Sequence, residues 1–489
     1  MAFELETASD REHLRRVAID PVSRVEGHGK VTLLLDDAGE VKEARLHIVE
    51  FRGFEVFIQG RPYWEVPVMV QRLCGICPVS HHLAASKAFD RVLGVERLTA
   101  SAEKLRRLMH YGQILQSHAL HFFHLSSPDL LFGFDSDVGR RNIVGVAAAE
   151  PEVAKQGIGL RRFGQQVIQA TAGKRIHGTG AVPGGVNRHL SLADRAALQA
   201  ESATMVEWAR GAVRLVRRLH EADPELYYHF GREESGLMSL VRPGDGALEL
   251  YDGVLRLRDA EGGVLLDGVS DQDYHRILSE EVKPWSYMKF PYVTNLGPER
   301  GWYKVGPLAR VQNCDVISTP HAEAERQAFR DQAGGAIRHG ALAYHWARMI
   351  EMLHAAELIH GMLDDPDLVE GERMADGQRG HEGVGIIEAP RGTLIHHYTV
   401  DENDLVQWCN LIVSTTHNNQ AMNAAVRQVA KRYLSGHTLT EGLLNHIEVA
   451  IRAFDPCLSC ATHALGKMPL LLELTGPDGR VVDRLRRDG

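Results

Sequence analysis

Cysteine is scarce in this sequence: Cys74, Cys77, Cys314, Cys409, Cys457 and Cys460 are the only six in 489 residues. That is too few for a disulfide scaffold at this size. Long apolar runs are missing as well, and nothing approaches the roughly 18 residues of a membrane helix. The opening "MAFELETASDREHLRR" alternates acid and base and has no apolar signal core. The expectation is a cytoplasmic protein without a membrane span. There is no basic excess either: 55 Lys and Arg stand against 64 Asp and Glu, a net charge of −9. That balance argues against a nucleic-acid partner. No glycine-rich loop opens a helix after a strand, so no phosphate cradle is expected. Repeats, low-complexity tracts and Pro/Gly/Ser linkers are absent too.

What is present reads as an ordinary globular chain, 44% hydrophobic and 24% charged. Its length would allow two to four domains. Without linkers, the simplest organisation is one large α+β domain, mainly helical, with a central helical bundle and peripheral β-sheets. Residues 30–50 alternate around an Asp-Ala-Gly turn, which predicts a β-hairpin. Residues 246–268 and 383–413 are two further strand regions. In 344–363, Met349, Met352, Leu353, Ala356, Ile359 and Leu363 keep the three-and-four spacing of one apolar helix face. Residues 101–125, 191–221 and 418–434 look similar. The final stretch "LLLELTGPDGRVVDRL" is hairpin-like.

Four of the six cysteines form two C-x-x-C pairs at opposite ends of the chain. "RLCGICPVSHH" (72–82) sets His81 four residues after Cys77, and "DPCLSCATH" (455–463) sets His463 three after Cys460. Each pair alone could be half of a zinc site, a redox dithiol, or a coincidence of buried thiols. Zinc ribbons separate their halves by about 15–20 residues, and here almost the whole chain intervenes. Thioredoxin-like dithiols follow a strand in a small βαβ unit, and neither pair does. Soft thiolates could hold zinc, nickel, copper or iron.

The wording around the pairs strongly resembles the two metal-binding signatures of the nickel–iron hydrogenase large subunit. Six more blocks resemble the family in the same order: "RVEGHGK" (24–30), "FRGFE" (51–55), "SHALHFFHLSSPD" (117–129), "GKRIHGTGAVPGG" (173–185), "VGPLAR" (305–310) and "EAPRGTLIHH" (388–397). The resemblance runs from Arg24 to His463. It implies one catalytic domain over 1–463 and the family's fold. It further implies reversible heterolytic cleavage of H2. "DPCLSCATHALG" and "RVEGHGK" look most like the bidirectional, NAD-linked branch, with coenzyme-F420-linked relatives sharing much of the wording.

By the same resemblance, Cys74 and Cys457 are terminal nickel ligands. Cys77 and Cys460 bridge nickel to an iron that carries carbon monoxide and cyanide. Glu26 matches the proton-relay glutamate; otherwise it would read as a surface or capping acid. Arg391 matches the arginine that overhangs the metals, held by carboxylates such as Asp129 and Asp455. Pro390 and Thr415 match the wall around the iron's ligands, although the family more often shows serine and tryptophan where Thr415 and His417 stand. Glu55 and His463 match a separate magnesium site, and His81 is expected to hydrogen-bond a bridging cysteine. Cys314 and Cys409 fit no motif and read as inert buried thiols.

The chain holds no leftover cysteine cluster for iron–sulfur centres and no cradle for NAD. A small iron–sulfur subunit is therefore expected as partner, with FMN and NAD in diaphorase subunits beyond it. The resemblance also makes residues 464–489 a C-terminal extension. A maturation endopeptidase would remove it between His463 and Ala464 after nickel-insertion proteins have acted. Three rivals remain open at this point: a hydrogen-sensing regulator, a quinone-reductase subunit, and a zinc-stapled interaction protein. Sensors of the family typically lack a tail, and quinone-reductase relatives have lost the nickel thiols.

Overall fold

Four long helices supply the frame of this computed structural model, which describes residues 13–461, 470–475 and 481–487. They are Ala100–Leu120, Pro151–Ala172, Leu192–Ala222 and Ala343–Met362. Each of the first three starts where its sequence prescribes. The Thr99 and Ser191 side chains accept from backbone N–H groups of Ala102 and Asp194, and Pro151 opens the helix between them. The four pack in a ring, 100–120 on 151–172, that on 192–222, that on 343–362, and back to 100–120. Gly112 and Gly164 allow a close crossing, since a Cβ on Gly164 would lie 2.7 Å from the Gly112 carbonyl oxygen.

Ala343–Met362 departs from the one-faced helix that its spacing implies. It is buried almost all round, with Arg348 and Glu351 inside. Its polar face is matched by buried partners rather than by water, and charge pairing permits that burial.

The expected hairpin forms from Gly29–Leu35 and Val41–Ile48, and Arg15–Ile19 adds a third antiparallel strand. A four-stranded sheet contains Gly236–Val241, Val254–Arg258 and Val264–Val269. The third strand region becomes an antiparallel meander, Glu382–Ala389, Gly392–Val400 and Val406–Ile412. This meander lies in the interior, because its first two strands pack on the buried helix Pro78–Val92. Leu470–Thr475 and Val481–Arg487 pair antiparallel, as the hairpin-like ending suggested. No helix among the described residues is long and apolar enough to cross a membrane.

Candidate metal centre

Separate pieces of chain converge on the thiols. Cys74 follows a short turn, Val70–Leu73, in extended conformation. Cys77 is the N-cap of helix Pro78–Val92, where the positive end of the helix dipole favours a thiolate. Cys457 and Cys460 lie just beyond helix Glu441–Ala453. Asp455 breaks that helix with a left-handed backbone, φ 56°.

The four ligand sulfurs lie within 4.8 Å of one another. Cys74 Sγ is 2.9 Å from Cys457 Sγ, and Cys77 Sγ is 3.9 Å from it. Cys74 Sγ also accepts from the N–H groups of Ile76 and Cys77, at 3.3 Å each. Burial raises the Cys74 thiol, but hydrogen bonds from Cys457, Cys460 and Cys77 outweigh it and carry it well below the ordinary thiol range. Burial leaves Cys457 and Cys460 well above that range. Closing on a metal must therefore release protons from the cage.

The N-terminal segment reaches the cage through Glu26. Its backbone carbonyl accepts from Leu458 N at 2.9 Å, and its carboxylate accepts from Ser459 N at 3.2 Å. Gly27 permits this approach: its φ is 85°, and a Cβ there would lie 2.5 Å from Ser459 N. Burial first, then the charge at Cys74, raises the Glu26 carboxyl above the ordinary glutamate value.

The turn Pro390–Arg391 joins two strands of the meander and also reaches the cage. Arg391 donates to Asp455 Oδ1 at 3.0 Å and to Ser117 Oγ at 3.3 Å. Burial disfavours its charge, but Asp455 and the neighbouring thiolates hold it well above the usual value. Arg310 braces the turn from behind, donating to the carbonyls of Ala389 and Pro390 at 3.0 and 3.2 Å. Arg310 is itself paired with Glu351 and Glu388, all three fully buried, and His118 lies 2.6 Å from Glu351. Thr415 Oγ1 accepts from Cys457 N at 2.9 Å. Pro390, Arg391, Thr415, His81, Cys77 and Cys457 together line a small pocket of about 10 Å³.

Asp129 is the correction. It does not hold Arg391. It is claimed by Arg24 at 2.6 Å, Arg452 at 2.9 Å and Asn445 at 3.1 Å, with Arg141 at 3.5 Å. Those contacts tie the N-terminal segment to helix Glu441–Ala453. Asp129 thus supports the segments of chain that carry Glu26 and Cys457, one step removed from the cage.

Glu55 lies apart, buried, with one oxygen accepting from Leu411 N at 2.8 Å and Lys289 Nζ 3.7 Å away. Its other oxygen has no hydrogen-bond partner among the described residues. His463 lies outside the described residues. His81 pairs through Nδ1 with His396 Nε2 at 3.1 Å. His417 bonds Tyr303 at 2.7 Å. Cys314 and Cys409 are buried away from the cage, and desolvation pushes the Cys314 thiol up to about 12. Sequence reading assigned no role to Ser117, Arg310, Glu351, His396 or Ser459. Arg310 and His396 stand in blocks that resemble the family, yet their contacts run across the fold.

Two family models match, one described as HoxL-like over residues 16–51 and one as nickel-dependent hydrogenase over 52–132 and 257–463. The chain belongs to the nickel-dependent hydrogenase family. It is 45% identical to the beta subunit of the NAD-reducing hydrogenase HoxS of Cupriavidus necator, over 97% of this chain and 100% of that one. It is 40% identical to one subunit of the F420-non-reducing hydrogenase of Methanothermobacter thermautotrophicus, over 96% of this chain and 100% of that one. A solved NAD+-reducing [NiFe]-hydrogenase in its H2-reduced state superposes with a TM-score of 0.90 at 61% identity, over 92% of this chain and 99% of that one. The four-thiol cage is therefore the nickel–iron site of a hydrogenase catalytic subunit. Its donor set fits the metals: four buried sulfurs close enough to share two ions, with a guanidinium beside them.

Proposed function

We propose that this hydrogenase subunit delivers its electrons through partner subunits to NAD+. The observation that carries the acceptor is the likeness, along nearly the whole chain, to subunits of NAD-reducing enzymes. Cys74 and Cys457 would hold the nickel, and Cys77 and Cys460 would be shared with the iron, whose carbon monoxide and cyanide ligands are those the family implies. The bound metals supply the Lewis acidity that polarises dihydrogen. The chain then handles the proton. Cys457 receives it, and Glu26 takes it onward, because its carboxylate sits one residue past the Cys457–Leu458 link and is raised toward working pH by burial. Arg391 cannot titrate there, so it supplies fixed positive charge and fork geometry, aimed by Asp455 and Ser117.

Four of six cysteines are committed to the cage, which leaves no set for an iron–sulfur wire. A small iron–sulfur subunit carries the electrons, and FMN and NAD sit in diaphorase subunits beyond it. Val49, Phe51, Val56, Phe57, Trp64 and Val68 expose apolar surface just upstream of Cys74, which suits that partner. Glu55 and His463 hold magnesium; the unpartnered Glu55 oxygen supports this. Residues 464–489 are cut away after His463, and the family match likewise stops at 463. The complex works in the cytoplasm.

The test is hydrogen-dependent NAD+ reduction by the purified complex, alongside infrared bands of metal-bound carbon monoxide and cyanide. Bands with dye reduction but no NAD+ reduction would move the enzyme to another acceptor, coenzyme F420 among them, or to hydrogen sensing.

A further inference from the structure

A cavity of about 230 Å³ lies where the turn after helix Ala100–Leu120 meets helices Pro151–Ala172 and Leu192–Ala222, and no cage residue lines it. Its floor is apolar, made by Phe123, Val153, Ala212 and Leu215. Two features of the sequence build that floor. His121–Ser126 winds as a π-helix, a wider turn that moves Phe123 out of the α-helical register. Gly157 then lets Phe123 lie against helix Pro151–Ala172, since a Cβ there would fall 2.3 Å from the Phe123 ring.

The rim is basic. Arg214 and Arg218 stand one turn apart on helix Leu192–Ala222, both exposed. Arg210 and Arg217 of the same helix pair with Glu207 and Glu221, at 2.7 and 2.9 Å. Arg214 and Arg218 have no ion pair or hydrogen bond among the described residues. Two like charges at that spacing weaken a helix unless an anion answers them. A third polar group joins them from the neighbouring helix. Gln156 Oε1 and Arg214 Nη2 lie 3.5 and 3.8 Å from the point that a Gly211 Cβ would occupy. Both reach over the same glycine, whose missing side chain leaves the space between the helices open.

We propose that this cavity is a binding site for a small organic carboxylate, with its apolar body on Phe123 and Leu215 and its charged end between Arg214 and Arg218. Size and lining both select that class. The volume is below the roughly 300–1,000 Å³ of sites for drug-sized ligands, so the ligand is small. A guanidinium fork matches the two oxygens of a carboxylate, and the Gln156 amide can donate a further N–H. A neutral apolar molecule would leave both guanidiniums unanswered. A bare inorganic anion would leave the apolar floor in water.

Calorimetric titration of the metal-loaded complex with hexanoate, hexanol, hexylamine and acetate tests the site. Hexanoate should bind in the millimolar range or tighter, less well as salt rises, and the other three should bind more weakly. Arg214→Ala combined with Arg218→Ala should weaken hexanoate about tenfold or more, through the loss of charge-assisted contacts. Gly211→Leu keeps both arginines but fills the cavity, and should abolish binding. A Cβ at Gly211 meets its neighbours at ordinary contact distance, so that variant folds. Hydrogen oxidation without added ligand should be unchanged in both variants, since neither change lies at the cage. Hexanol binding as tightly as hexanoate would overturn the ligand class. Hexanoate binding that survives both variants would place the site elsewhere and overturn the proposal. So would a parent complex that binds no hexanoate, because the arginine stems would then simply cover the floor.

Discussion

Glu26 and Arg391 both reach the cage, and in the proposed function their work is opposite: Glu26 carries a proton, while Arg391 stays charged. Glu26→Gln should keep both metals and slow H/D exchange on the order of 10²-fold. Unchanged exchange in a metal-replete variant would remove Glu26 from the proton route. The raised carboxyl also has a stability consequence. A group whose folded value lies above its unfolded one stabilises at low pH and loses that contribution as pH rises through the folded value. Glu26→Gln should therefore gain thermal stability relative to the parent as pH climbs above the ordinary glutamate range, and a pH series of melting curves would show it. Arg391→Lys keeps charge but not the fork that reaches Asp455 and Ser117 together, so activity should fall sharply with metal content intact.

The elements around the cage are held in place by two buried charge networks rather than by apolar contact alone. Arg310, Glu351, Glu388 and His118 lock the Pro390–Arg391 turn to helix Ala343–Met362. Glu351→Gln leaves a buried guanidinium half-paired, and should cost about 3–5 kcal/mol in denaturant unfolding. The second network centres on Asp129 and joins the loop before Glu26 to helix Glu441–Ala453. Gly27 then lets that loop lie against Ser459. Gly27→Ala should lose about 1–3 kcal/mol through its left-handed backbone alone. It should also push Glu26 away from Cys457, so exchange would slow even where the metals load; a stable variant with normal exchange would contradict the close approach.

At the level of the whole molecule, six exposed apolar side chains fall between Val49 and Val68, just upstream of Cys74 in the sequence. Trp64→Asp should weaken binding of the iron–sulfur partner by about 2 kcal/mol or more in a pull-down or sedimentation titration, without changing the isolated chain's melting. Retention of a tight complex would place the partner elsewhere. Mass spectrometry of the active complex should find this chain ending at His463. A full-length active chain would mean that residues 464–489 are not removed.

The four cage cysteines, Arg391, Thr415, three of the four long helices and the first hairpin were legible in the linear sequence; Pro151–Ala172 was not read as a helix. Ligand spacing, caps and apolar periodicity are local properties, and a nearly chain-long series of blocks resembling one family set them in context. The partners of those residues were not legible. Asp129 looked like a support for Arg391, but Arg24 and Arg452 from distant segments, with the nearer Arg141, surround it instead. Arg310, Ser117 and His396 showed no role, because each acts on a residue scores of positions away. The 383–413 strands looked peripheral until helix Pro78–Val92 covered them. Chemistry here is written in residue types and short spacings. Which carboxylate meets which cation, and which histidine meets which ring, follows from how the helices and the meander pack, and burial makes each of those pairings obligatory.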